Sequence, residues 1–184
     1  GVHEKLIRDA NVLVEGNIIK EISTGALNAS GATVIDAAGR TMTPGFIDAH
    51  AHMMFQLSVD EGMTSDERYF AYVATQTANT YLARGFTAIR DPAGNSFSLK
   101  KAIDRGIVVG PRIYPSGPMI SQTAGHADHR HNSDASALFG GTWDPMVRWG
   151  DMVVVDGVPE MLKAARENLR LPQKSAAYPN SRHI

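Results

Sequence analysis

Short bursts of alternating apolar and polar residues open the chain, and a longer helical rhythm replaces them further on. Asn11-Val12-Leu13-Val14-Glu15 and Ile18-Ile19-Lys20-Glu21-Ile22 read as two strands joined by the turn pair Gly16-Asn17. A third strand is expected over Ala32-Thr33-Val34-Ile35-Asp36, followed by a turn through Gly39. At Pro44 the pattern changes. The run Gly45-Phe46-Ile47-Asp48-Ala49-His50-Ala51-His52 predicts a strand, in which successive side chains point to opposite faces. Asp48, His50 and His52 then share one face, with Phe46, Ile47, Ala49 and Ala51 as apolar filling.

Thr64-Ser65-Asp66-Glu67 predicts the next helix start through a Thr-x-x-Glu capping box. Phe70, Val73, Ala74, Thr77, Ala78, Tyr81 and Leu82 recur at helical spacing until Gly85, a stripe suited to packing on a sheet. The strand Phe86-Thr87-Ala88-Ile89-Arg90 follows directly. Ser96 caps a helix carrying Leu99, Ala102 and Ile103 that ends at Gly106, and Arg112-Ile113-Tyr114 is the next strand. This alternation implies a parallel sheet built by right-handed crossovers. Residues 116–150, rich in Gly, Ser, His and Asp, read as a loop of a length that is functional or disordered in a compact domain. Pro159 suits the first turn of a last helix lined by Met161, Leu162, Ala165 and Leu169. The pattern stops at Leu171, which leaves 172–184 as an irregular tail.

Composition narrows this picture without redrawing it. With 184 residues, 43% hydrophobic and 20% charged, the chain suits one sizeable core or a small two-domain arrangement. A formal net charge of −1 gives no electrostatic case for nucleic acid or an anionic membrane as partner. No apolar run reaches spanning length and the N-terminus lacks a signal peptide's regions, so a cytoplasmic location is the default expectation. The absence of cysteine removes disulfides, thiolate zinc sites and cysteine nucleophiles together. Any metal must then be held by histidine, carboxylate or a modified lysine.

Two imidazoles spaced i, i+2 at a strand's end can offer nitrogens to one cation, and imidazole is the commonest ligand for zinc and its neighbours. His50 and His52 are therefore the candidate metal ligands. Two histidines falling together in an ordinary buried strand is the weaker account, since inward histidines need polar partners. A second group, His126, Asp128, His129 and His131, is densely spaced. A solvated loop explains it more simply than a metal site, because loop histidines lack the fixed geometry of strand ones. Arg90-Asp91 reads as an internal ion pair or as support for a ligand, not as direct catalytic machinery. Trp143 and Trp149 are expected to pack the loop.

The string Thr43-Pro44-Gly45-Phe46-Ile47-Asp48-Ala49-His50-Ala51-His52, preceded by Val34-Ile35-Asp36-Ala37-Ala38-Gly39-Arg40, resembles the barrel entry of the metal-dependent amidohydrolase superfamily. Gly85-Phe86-Thr87-Ala88-Ile89-Arg90-Asp91 and Thr123-Ala124-Gly125-His126-Ala127-Asp128 resemble the branch containing Xaa-Pro dipeptidases and imidazolonepropionase-like enzymes. The likeness covers roughly residues 5 to 170. It implies an α/β fold: a partial TIM-type (β/α)8 barrel preceded by part of a small β-sandwich domain. Residues 1–43 would be the sandwich portion and 44–171 the first part of the barrel. Gly1 then reads as a start inside the sandwich, and Met152-Val153-Val154-Val155 as a connection before a helix, despite its β-branched content.

The same resemblance implies a divalent metal cofactor, zinc in the first instance, and binuclear in complete family members. It implies a small-molecule or dipeptide substrate and hydrolysis of a C–N bond, in a dipeptide or an N-acyl amino acid. Of the family's metal ligands only His50 and His52 match here. The bridging lysine would fall beyond Leu171, where the sequence departs from the family, and neither Lys174 nor His183 takes that role. In the family the Gly-His-x-Asp loop faces the substrate, which gives His126 a place at the substrate's carboxylate. No residue is assigned as catalytic. A barrel takes about 250 residues, whereas about 140 follow Pro44 with three strand–helix units at most. The expectation is thus the front part of a hydrolase, inactive alone. Two readings stay open beside it. One is a non-catalytic remnant that binds metal or a partner through exposed barrel edges, a homo-oligomer included. The other is a cyclic-amide hydrolase or deaminase of the same superfamily.

Overall fold

Gly16, at φ +62°, turns the chain between β1 (Asn11–Glu15) and β2 (Ile18–Ser23), which pair antiparallel with a register shift at Leu13/Val14. The computed structural model describes residues 6–176, and side chains as far as Leu171. The chain divides into two compact units, Gly1–Thr43 and Pro44–Ile184. Within the first, the hairpin is the only sheet among the described residues. The strand expected over 32–36 does not form: Val34 and Ile35 are 82% and 86% exposed. Its β-branched residues favour extension, but no described segment lies alongside to complete a ladder.

The second unit is built on a parallel sheet ordered β3 (Phe46–Asp48), β4 (Phe86–Asp91), β5 (Arg112–Pro115). α2 (Glu67–Ala83) links β3 to β4, and α3 (Phe97–Asp104) links β4 to β5. Ala74 and Ala78 of α2 and Leu99 of α3 close over Ile89, Ile113, Ala51 and Met53 to form the core of the sheet. Alanine on the helix face lets α2 approach closely. Truncating the fully buried Ile89 to Ala is expected to cost about 2–5 kcal/mol.

Several local expectations need correction. The cap of α2 is Asp66, whose carboxylate accepts from the backbone N–H of Arg68 and Tyr69 at 2.8 and 3.1 Å. Thr64 instead ends a short helix α1 (Val59–Thr64), opened by Ser58 accepting from Glu61 N–H. Both Thr64 and Asp66 are good caps, and the residue adjoining the helix wins. β3 is only three residues long and lies at the sheet edge, so Phe46 and Ile47 are 54% and 73% exposed and do not fill the core. Ala49 is exposed as well, while Ala51 is buried.

Residues 116–150 are not one loop. They hold β6 (Met119–Ser121), a single 3-10 turn over Ala137–Phe139, and α4 (Pro145–Trp149), capped by Asp144 with Pro145 in its first turn. Nor is Met152–Val155 a mere connection: β7 (Met152–Val154) pairs in parallel with β6. Met152, Met146, Ala127 and Phe70 are buried together, and this long-range packing outweighs the loop-like local composition. α5 (Val158–Ala176) also runs past Leu171. Lys174 thus lies on a helix, not a strand. Residues 177–184, with His183, lie outside the described residues. Among the described residues no helix is long and apolar enough to cross a membrane.

Candidate active site

The parallel strands β3 and β4 carry their chemistry at their C-terminal ends. Asp48 ends β3, and its carboxylate accepts from His50 N–H at 3.0 Å, turning the chain out of the ladder. His50 and His52 therefore sit just beyond the strand instead of alternating along it. Their rings still come together, with centroids 5.0 Å apart and nearly perpendicular at 84°. The segment stays tied to β4, since Ala51 N–H donates to Arg90 O at 3.2 Å. His50 is exposed and His52 half-buried, with Phe55 5.9 Å from the His52 ring.

Asp91, the last residue of β4, is fully buried. Its carboxylate accepts from Met53 N–H on Oδ2 and from Ala93 N–H on Oδ1, both at 3.2 Å. Burial pushes its pKa up, and the Ser96 hydroxyl, the two backbone donors and His52 pull part of that back. Ser96 precedes α3 without capping it by its side chain, and its buried hydroxyl meets no partner at full hydrogen-bond geometry. Oδ1 of Asp91 is 3.8 Å from His52 Nδ1, a buried nitrogen with no hydrogen-bond partner among the described residues. Arg90 is exposed and forms no ion pair with Asp91 among the described residues. Of the two sequence-based options for Arg90-Asp91, support of His52 is the one this geometry favours.

The four members of the second histidine group separate. His126 and His129 line a pocket of about 150 Å³ together with His52, Phe55, Met119 and Met152. The Nδ1 of His129 is buried without a hydrogen-bond partner among the described residues. Asp128 turns to Arg130 in a two-pronged pair at 2.7 and 2.6 Å and also accepts from Ala124 N–H at 2.9 Å. The Arg130 bonds hold its pKa at about 2. Arg130 in turn lies over the Trp143 ring at 4.5 Å. Trp149 belongs to α4, where it meets Phe70 edge-on at 5.4 Å. The His131 backbone N–H donates to Asp134, and its side chain is exposed.

Among the described residues no three or more histidine or acidic side chains converge as a metal site. His50 and His52 bring two imidazole rings close together, whereas a catalytic zinc site takes three protein ligands. Sequence reasoning missed Asp151, which is 4% exposed and ties β7 to the loop after β4 by accepting from Asn95 N–H at 2.8 Å. It also missed Asp156, which accepts from Thr123 N–H and hydroxyl at 3.1 and 2.6 Å and so fixes the loop that carries His126. Neither had a local signal. The Ser58-x-x-Glu61 and Asp144-Pro145 helix starts did.

Comparisons with known proteins concern the family and the fold. The model of the family described as Amidohydrolase family matches residues 41–173. An ochratoxinase from Aspergillus niger is 33% identical over 144 residues, covering 70% of this chain and 28% of that protein. The crystal structure of a prolidase complexed with N-methylphosphonate-L-proline is 33% identical with a TM-score of 0.72, over 88% of this chain and 39% of that one. A Xaa-Pro dipeptidase with methionine bound in its active site is 31% identical with a TM-score of 0.67, over 86% and 39%. The chain thus spans well under half of each of these relatives. The two solved neighbours have the TIM-barrel fold, and the α/β architecture here corresponds to part of it.

Proposed function

The chain belongs to the amidohydrolase family, and from that premise we propose that it carries the metal-holding turn and the substrate loop of a hydrolase of amide or peptide C–N bonds. A dipeptide or an N-acyl amino acid is the substrate class, a reading supported by the prolidase and dipeptidase among its structural neighbours. The observation that carries it is the meeting of His50 and His52 at the end of β3, with the buried Asp91 behind His52.

Enzymes of this family generally use divalent metals. The residues present fit part of such a site: two imidazole rings meet edge-on, and His52 Nδ1, without a hydrogen-bond partner among the described residues, lies 3.8 Å from a carboxylate oxygen. That arrangement favours the Nδ1–H tautomer and leaves Nε2 as the donor. His50 and His52 would hold the ion, zinc being the natural choice for paired imidazoles. When bound, a divalent ion supplies Lewis-acid activation of water and of the carbonyl to be cleaved. Asp91 orients His52, and His126 on its braced loop takes the substrate's carboxylate. Asp128 and Asp156 keep that loop in place through their own hydrogen bonds. Among the described residues no group of three or more histidine or acidic side chains could hold the ion, so we expect this chain alone to bind metal weakly and to be inactive on dipeptides.

A second reading is favoured by one observation: Phe46 and Ile47 expose apolar surface along the β3 edge. A chain with such an edge pairs readily with another strand, as a partner-binding module or a homo-oligomer.

Zinc titration by calorimetry, together with a dipeptide hydrolysis panel, tests the proposal. Weak binding that disappears in both His50→Ala and His52→Ala is expected. No binding by the unsubstituted chain, or binding that survives both changes, rejects the assignment. Turnover by the 184-residue chain would reject the expected inactivity.

A further inference from the structure

We infer that the pocket beside His52 is a specificity pocket for one uncharged, apolar side chain of the substrate, of isobutyl to benzyl size. The inference rests on the reading of the site as that of a peptide or N-acyl amino acid hydrolase, and adds the side-chain class that reading leaves open.

Size comes first. The pocket holds about 150 Å³, and a cavity of roughly that volume lined by aliphatic and aromatic groups accepts a benzene ring. Chemistry comes next. Phe55, Leu57, Phe70, Met119, Met146 and Met152 supply most of the wall, and among the described residues no Asp, Glu, Lys or Arg contributes to it. A charged side chain entering would lose its hydration with no counter-charge to meet it. Met119, Met146 and Met152 can adjust their shape to branched or flat occupants. Position is the third point. His52, His126 and His129 are the imidazoles of the wall, so an occupant's side chain would lie next to the residues proposed to hold metal and carboxylate. The pocket wall thus offers imidazole polarity from His52, His126 and His129 beside its apolar groups. Arg130, the nearby cation, is already committed to Asp128 and Trp143.

The test uses the full chain in the presence of a chelator, so that metal plays no part. N-acetyl derivatives of leucine, phenylalanine, glycine, aspartate and lysine are titrated while tryptophan fluorescence is followed. Trp149 reports because it contacts Phe70 of the pocket wall. The leucine and phenylalanine derivatives are expected to bind at least tenfold more tightly than the other three. Val59 lines the pocket yet is 48% exposed, at the first position of α1, where an acidic residue suits the helix N-terminus. Val59→Asp should therefore fold normally and lose the preference, with Leu57→Phe as a second variant that shrinks the space and disfavours phenylalanine first. Equal affinity across the five probes overturns the inference, as does a preference unchanged in both variants. Metal titration stays a separate readout. A preference without metal binding rejects the hydrolase reading alone, and metal binding without a preference rejects the pocket alone.

Discussion

Nδ1 of His52 and Oδ1 of Asp91 face each other at 3.8 Å across the ends of two neighbouring parallel strands. The distance is longer than a hydrogen bond, yet the carboxylate cannot turn away, because Met53 N–H and Ala93 N–H hold one oxygen each. Asp91→Ala leaves two buried donors unpaired and should destabilise the chain by about 2–4 kcal/mol. Asp91→Asn keeps one acceptor and should cost less. Both should weaken zinc binding by about 10–100-fold if Asp91 orients His52. Urea unfolding separates the stability effects, and unchanged zinc affinity in Asp91→Asn would limit Asp91 to a structural part.

Gly45 leads into β3 where no side chain fits. A Cβ there would run into the Thr87 side chain, with the Thr87 Cβ itself only 2.7 Å away. The β3–β4 register shifts between Phe46 and Ile47, opposite Thr87. Gly45→Ala should cost about 1–3 kcal/mol by overpacking. Thr87→Gly in the same chain should recover at least part of it, and a double-mutant cycle by urea unfolding should show a coupling of about 1 kcal/mol or more. Purely additive costs would mean that the crowding is relieved elsewhere.

Local signals carried the sheet and its helices, since Phe70, Ala74 and Ala78 or Ile89 and Ile113 face one way for reasons that a short window contains. They failed where partners are distant. Met119 and Met152 lie in strands because each segment gives the other a ladder; the β-branched content of 152–155 hinted at one, whereas 119–121 gave no sign. Val34 and Ile35 show the converse, strand-forming residues with nothing beside them. Near the proposed site, the closeness of the His50 and His52 rings was legible from spacing, although a turn from Asp48, not strand alternation, brings them together. Asp91's facing of His52 and Asp151's hold on Asn95 join segments far apart in sequence, and only the fold displays them.

Asp128 and Arg130 lock the histidine loop in a pH-dependent way. The folded pKa of Asp128 is lowered to about 2, so its stabilisation is present above its ordinary value and is lost as pH falls toward 2. Neighbours cover the side chain, but the loop is at the surface, and water screening leaves about 1 kcal/mol. Arg130→Gln should lose that amount near pH 6 and match the unsubstituted chain near pH 2. Equal destabilisation at both values would assign the effect to lost packing on Trp143.

Asp151 should behave oppositely. Burial raises its pKa most, the Asn95 backbone bond lowers it, and the charges of Glu67 and Asp91 raise it further. A raised folded pKa means that the folded chain takes up the proton more readily than the unfolded one. Its favourable contribution is complete below the ordinary Asp value of about 4 and is lost as pH rises through the folded pKa. At neutral pH the buried charge is therefore a burden. Asp151→Asn keeps an oxygen for Asn95 N–H, the bond that ties β7 to the loop after β4, and removes the charge. It should stabilise the chain by about 1 kcal/mol at pH 7, with the gain shrinking as pH falls to about 4. Urea midpoints at the two pH values decide it: a variant less stable than the parent at pH 7 would show that the Asp151 carboxylate is needed in its ionised form.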